Sequence, residues 1–193
     1  MLIVGIGGTT RPHSSSELAI VTTLRAAAAH GADTRHFDGS FLASLPHYRP
    51  EQPARTEAQL GFVDMVRRAD GIIIGTPGYH GGISALVKNA LDLLEDLRDD
   101  PRPYFQGRPV GCVVTAAGWQ ACGTTLTSLR SVVHAMRGWP TPLGVTLNTG
   151  GTPLFTPDGD CTDRATAARL TELANEVADF SELIGLRRRV PAG

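Results

Sequence analysis

Gly71-Ile72-Ile73-Ile74-Gly75-Thr76-Pro77-Gly78-Tyr79-His80-Gly81-Gly82-Ile83-Ser84 holds the fold in miniature. Gly71 to Gly75 carries no polar side chain, as a strand covered on both faces requires. A loop rich in Pro and Gly follows, and Ser84 stands where a hydroxyl can cap a helix. Beyond it Leu86, Val87, Ala90, Leu93, Leu94 and Leu97 form an apolar stripe at helical spacing, with Lys88, Asp92 and Asp96 pointing outward.

The same alternation recurs on either side, so the chain reads as α/β with a parallel sheet between helical layers. Five strands are predicted: Leu2 to Ile6, Thr34 to Phe37, Gly71 to Gly75, Val110 to Ala116 and Leu143 to Leu147. The intervals between them are long enough for crossover helices. A first helix starts at Ser14 to Ser16 and runs to His30, with Gly31 as its stop and Leu18, Val21 and Ala28 facing the sheet. A last helix, from about Asp163 to Ile184, carries Leu170, Leu173, Ala174, Val177 and Ile184 inward. Asp38 to Arg55, with Pro46, Pro50 and Pro53, reads as a long irregular connection suited to a lid or an intersubunit contact.

Composition narrows the partners. The 193 residues suit one domain, and 18 basic against 19 acidic residues leave a net charge of -1, so no broad field favours nucleic acid or an anionic membrane. A small-molecule partner is expected. The basic run Arg187-Arg188-Arg189 reads as a solvated tail. Met1 to Ile6 reads as a strand and not as a signal sequence, and no apolar run approaches the roughly 20 residues that span a bilayer. A cytoplasmic location is expected. The three cysteines, Cys112, Cys122 and Cys161, form no CxxC pair, and the six histidines show no HxxxH or HExxH spacing, so neither disulfide framework nor metal site is indicated. Cys112 falls in a buried strand; Cys122 lies close to the proposed ligand site, as packing or as a redox-active thiol.

In an open parallel sheet, ligands bind beyond the carboxyl ends of the strands. Three loops there have the composition for it. Gly7-Gly8-Thr9-Thr10-Arg11-Pro12-His13-Ser14-Ser15-Ser16 offers helix amides, hydroxyls and one guanidinium, a set suited to phosphate. It lacks the lysine of a Walker A loop and the third glycine of GxGxxG, so a monophosphate fits better than ATP or a dinucleotide. A polar turn with a serine-capped helix accounts for the same residues. In Pro77-Gly78-Tyr79-His80-Gly81, glycine lets the backbone approach a flat ring, Tyr79 offers an aromatic face and His80 can stack or donate; a tight turn with a packing tyrosine is the alternative. Thr115-Ala116-Ala117-Gly118 is again small enough for main-chain amides to meet a ring, with Trp119 as a wall or as an interface residue.

These stretches resemble the NAD(P)H-dependent FMN reductase family. The resemblance rests on Gly8-Thr9-Thr10-Arg11 with the serines after it, on Thr76 to Gly82 running into Leu86-Val87-Lys88-Asn89-Ala90-Leu91-Asp92, and on Pro142-Leu143-Gly144-Val145-Thr146-Leu147-Asn148. It implies a flavodoxin-like three-layer sandwich with a five-stranded parallel sheet in the order 2-1-3-4-5. It also implies FMN and NADPH or NADH as cofactors. Thr9, Arg11, Ser14, Ser15 and Ser16 would then lie at the phosphate, Pro77 to Gly81 at the ring edge, and Thr115 to Gly118 at the pyrimidine end. Thr9 stands where the family more often has serine, and Gly78 where it often has glutamate or valine, which would leave the ring more open. The family further implies a homodimer or homotetramer, with Ala85 to Leu97 as a candidate contact.

The chemistry so implied is hydride transfer from nicotinamide C4 to flavin N5, with no side-chain acid or base. Reduced FMN then either leaves for a partner monooxygenase or stays bound and reduces a quinone, an azo compound or a metal oxyanion. Two rivals carry less. A non-enzymatic electron carrier would want an acidic docking face, and a hydrolase built on Ser14 to Ser16 lacks the GxSxG elbow.

Overall fold

The computed structural model describes residues 1–151 and 153–189, without the side chains of Arg188 and Arg189; the backbone of the Arg187-Arg188-Arg189 run, read from the sequence as a solvated tail, is helical. Along the chain come β1 (Leu2–Gly7), α1 (Ser15–Ala29), β2 (Asp33–Phe37), α2 (Gly39–Ser44), α3 (Glu57–Arg68), β3 (Gly71–Tyr79) and β4 (Gly82–Ile83). They are followed by α4 (Ala85–Leu93), β5 (Pro109–Ala116), α5 (Trp119–Ala135), β6 (Trp139–Asn148) and α6 (Arg164–Arg189). Among the described residues no helix is long and apolar enough to cross a membrane.

The parallel strands lie in the order β2-β1-β3-β5-β6, the predicted flavodoxin-like winding. A sixth strand was not foreseen: β4 pairs antiparallel with the end of β3, Gly78 opposite Ile83 and Tyr79 opposite Gly82. Its two-residue turn, His80-Gly81, has φ values of 52° and 80°, the double positive φ of a hairpin turn whose twist matches its strands.

Alternation within the buried strands divides the core. Val4, Ile6, Ile72, Ile74, Cys112 and Val114 pack with residues of α3, α4 and α5, whereas Ile3, Ile73 and Val113 pack with residues of α1 and α6. Successive side chains on one strand thus fill opposite layers, which is why these strands read as unbroken apolar runs.

Several expected boundaries change. In α1 the buried face is Ser16, Ala19, Ile20, Thr23, Leu24 and Ala27, while Leu18 and Val21 are half-buried and Ala28 is exposed. Thr23 can lie inside because its hydroxyl donates to the Ala19 carbonyl at 2.8 Å. The segment after β2 is not wholly irregular: Asp38 caps α2 by accepting from the Phe41 amide at 2.8 Å. The rest of that segment is fastened to the body. The Tyr48 amide donates to Asn89 Oδ1 at 2.9 Å, the Arg55 guanidinium binds Asp96 at 2.8 Å, and its carbon lies 5.1 Å from the Tyr48 ring centre. The Ser84-capped helix turns to 3-10 geometry at Leu94–Leu97. β6 begins at Trp139, earlier than expected, because an edge strand tolerates Pro140 and Pro142. In α6, Leu170, Leu173, Ala174 and Val177 are buried as expected, but Ile184 is only half-buried.

Candidate active site

β1 lies between β2 and β3, so the connections leaving β1 and β3 depart to opposite faces and leave a cleft between them. Register keeps the strand ends level: Gly7 stands beside Gly75, Pro77 beside Thr115, and Ala116 beside Asn148. The cleft encloses about 520 Å³. Its lining brings together Thr9, Arg11, Ser14, Ser15 and Ser16 from the first predicted loop, Pro77, Gly78 and Tyr79 from the second, and Thr115, Ala116 and Ala117 from the third.

At one end the chain is shaped by its glycines. Gly7 has a φ of 139°, and a Cβ there would come within 1.8 Å of the Gly75 carbonyl oxygen, so β1 can open into the loop only through glycine. Ser14 then caps α1, its oxygen accepting from the Glu17 amide at 3.3 Å, which leaves the Ser14 hydroxyl proton to donate elsewhere. First-turn amides have no partner within their own helix and carry partial positive charge. Arg11 is exposed and, among the described residues, is the one formally charged member of the lining.

The loop is braced from below. His36 Nε2 lies 3.3 Å from the Gly7 carbonyl, and because a carbonyl only accepts, that nitrogen carries the proton. Burial holds the His36 pKa below the ordinary value, against the Gly7 bond and the charges of Asp38 and Glu17.

Toward the other end the walls are small and flat: Pro77, Gly78, Ala116 and Ala117. Tyr79 stands at the mouth with 56% of its surface exposed. Between the two ends the hydroxyls of Ser16 and Thr115, both buried, meet at 2.6 Å.

Other predicted positions fall outside the lining. His80 and Gly81 form the hairpin turn, Gly118 caps α5 and Trp119 begins it, and none of the four is among the residues that line the cleft. Gly78 lines the cleft, and a Cβ on it would lie 2.6 Å from Thr125 Oγ1 of α5, so its small size also serves the packing of α5 against the hairpin. Cys122 is buried and its Sγ lies 3.5 Å from the Leu147 carbonyl; burial pushes its pKa up, the reverse of a reactive thiolate.

A fourth wall was missed: Thr149, Gly151, Pro153 and Leu154, beyond β6. The Thr149 amide donates to the Ala116 carbonyl at 2.8 Å, and the Gly150 amide to Asn148 Oδ1 at 3.0 Å. Asn148-Thr149-Gly150-Gly151 after an apolar strand is the same strand-end signal that marked the other loops.

Comparison with known proteins agrees with this geometry. An iron-sulfur flavoprotein of Methanocaldococcus jannaschii is 28% identical over 95% of this chain and 99% of its own length. An FMN-dependent NADPH-azoreductase of Staphylococcus aureus is 38% identical over 47% of this chain and 46% of its own. Among solved structures, the flavoenzyme NAD(P)H:(acceptor) oxidoreductase of Paracoccus denitrificans superposes with a TM-score of 0.71 at 21% identity, covering 94% of this chain and 97% of that one. This chain has three cysteines, fewer than the four thiolates that commonly hold an iron-sulfur cluster, and among the described residues no group of three His, Cys, Asp or Glu side chains is placed to hold a metal. The sequence model described as NADPH-dependent FMN reductase matches residues 1–152, and the chain belongs to that family of flavin oxidoreductases.

Proposed function

We propose that the cleft binds FMN through its phosphate and ring edge, and that the protein catalyses reduction of FMN by NADH or NADPH. The observation that carries this reading is the gathering, in one cleft of about 520 Å³, of a loop of hydroxyls with the Arg11 guanidinium at one end and a flat, small-residue wall at the other. That volume lies within the roughly 300–1,000 Å³ typical of cofactor sites.

In this reading Arg11 and the Ser14 hydroxyl, with the first-turn amides of α1, hold the phosphate, and Thr9 and Ser15 line its approach. Pro77, Gly78, Ala116 and Ala117 let the ring lie against backbone, and Tyr79 covers the mouth where a nicotinamide would stack. Bound there, FMN supplies the hydride acceptor at N5 and the route for its electrons to a further acceptor. The chain's own part is to bind, to align the two rings and to limit water, which needs no acid or base in the lining.

Reduced FMN leaving for a monooxygenase partner is the route we favour; bound FMN serving a quinone or azo acceptor is the alternative. Assembly as a homodimer or homotetramer belongs to the same proposal. Its contact would use the outer face of Ala85 to Leu97, since Val87, Ala90, Leu91, Leu93, Leu94 and Leu97 are already buried in the chain's own core.

The test is the initial rate of NADH and NADPH oxidation by flavin-stripped protein as FMN is raised from far below to far above the protein concentration. Saturation well beyond stoichiometry identifies FMN as a diffusible substrate, and a plateau at one FMN per chain identifies a bound group. FMN binding without any oxidation of either nucleotide overturns the reductase reading.

A further inference from the structure

We propose that Ser16 and Thr115 act as one positioning unit that clamps the middle of the cleft and presents a single hydroxyl proton to the ligand, and that Ser16 is therefore not a phosphate ligand. This rests on the reading of the cleft as a flavin site. Ser16 belongs to the first turn of α1, and Thr115 to the end of β5. β3 lies between β1 and β5, so a bond from α1 to Thr115 must cross over the end of β3.

Gly75 makes that crossing feasible. A Cβ there would sit 2.4 Å from Ile20 Cγ1 and 3.4 Å from the Ser16 carbonyl oxygen, so the bare backbone lets α1 settle onto β3. Ser16 Oγ then reaches Thr115 Oγ1 at 2.6 Å. Ser16 is 2% exposed and Thr115 5%, yet both line the cleft.

The proton count gives the consequence. Two hydroxyls carry two protons, and one is used within the pair. The accepting oxygen keeps its own proton, and a buried hydroxyl proton is costly to leave unpaired. The open direction for it is the cleft, midway between the Arg11 end and the Ala116–Ala117 end, where a flavin's polyhydroxyl chain would run. A phosphate at the Arg11 end is met by the guanidinium and by the Ser14 hydroxyl proton, which the cap leaves free, while Ser16 Oγ is held 2.6 Å from Thr115 Oγ1.

The experiment compares binding of FMN and of riboflavin, which has the same ring and chain without the phosphate, by quenching of flavin fluorescence. Wild type, Ser16→Ala, Thr115→Val, the double variant, Thr115→Ser and Arg11→Gln are titrated with each. Ser16→Ala and Thr115→Val should each weaken both flavins about tenfold, leaving the FMN-to-riboflavin affinity ratio unchanged. The double variant should lose no more than either single one, and Thr115→Ser should keep near-wild-type affinity. Arg11→Gln should change the ratio. Loss of FMN affinity alone in Ser16→Ala overturns the proposal by making Ser16 a phosphate ligand, and additive losses overturn it by making the hydroxyls independent. Failure of wild type to bind either flavin overturns the flavin reading itself, and the clamp with it.

Discussion

Gly78→Ala tests the hairpin that carries Tyr79. Gly78 is not among the glycines with positive φ, so alanine is allowed by the backbone, and the cost is steric. The new Cβ would lie 2.6 Å from Thr125 Oγ1, 3.3 Å from Thr125 Cβ and 3.4 Å from Ala116 Cβ. Overpacking of this kind costs about 1–3 kcal/mol, while alanine regains roughly 0.5–1 kcal/mol over glycine in a strand. The expected net loss is about 1–2 kcal/mol, or roughly 2–8 °C in Tm for a chain of this size. Thr125 supplies the control, because its hydroxyl is buried without a hydrogen-bond partner. Thr125→Ala gives up a buried methyl, about 0.8 kcal/mol, but removes an unpaired hydroxyl that costs about 1–3 kcal/mol, so it should be no less stable than wild type. In that background the 2.6 Å contact is gone, and Gly78→Ala should be neutral or slightly stabilising. Urea unfolding of the four proteins closes the cycle. An equal cost of Gly78→Ala in both backgrounds would refute the reasoning.

Three further outcomes are expected. Arg11→Gln should weaken FMN binding about 10- to 100-fold, the range of a charge-assisted hydrogen bond, and leave riboflavin unaffected in the same titration; equal loss for both ligands would place Arg11 away from phosphate. Thiol labelling at neutral pH should modify Cys161 first, since it is half-buried, and should reach Cys112, whose pKa burial pushes up to about 12, and Cys122 only on unfolding. Mass spectrometry of labelled peptides checks it, and fast labelling of Cys122 in the native protein would contradict the packing described. His36 is held below its ordinary pKa, so folding favours its neutral form. Its contribution to stability is present above about pH 6.5 and is lost as pH falls through the folded value; His36→Gln should flatten that part of the stability profile, and an unchanged profile would discount His36.

The three central strands were legible because their constraint is written into nearly every residue. Ile72, Ile73 and Ile74 must each be apolar since they alternate between two covered faces. Helix faces were legible only where polar residues gave contrast, as at Lys88 and Asp92. In α1 the alanines from Ala26 to Ala29 offer none, and two of the buried positions are the hydroxyl residues Ser16 and Thr23. Hydroxyls that satisfy themselves against a nearby carbonyl or a second hydroxyl belong inside a layer, but composition alone assigns them to its surface. The short α2 was hidden for a related reason, since Gly39 in its first position argues against a helix that the Asp38 cap supports.

The cleft was legible to the extent that its requirement is negative. Wherever a ligand must meet backbone, the sequence has to omit side chains, and Ala116 and Ala117, which line the cleft, fit that requirement. The same mark is ambiguous when small size serves the protein's own packing. Gly78 lines the cleft, yet its missing Cβ makes room for Thr125, and Gly75 makes room for Ile20. His80 and Gly81 are set by the turn, whose positive φ values the hairpin demands. A small residue at a strand end therefore signals a close approach without naming what approaches. Only the register of Pro77 with Thr115 and of Ala116 with Asn148 decides which of these approaches face the cleft, and the same register extends its wall to Thr149 and Gly151.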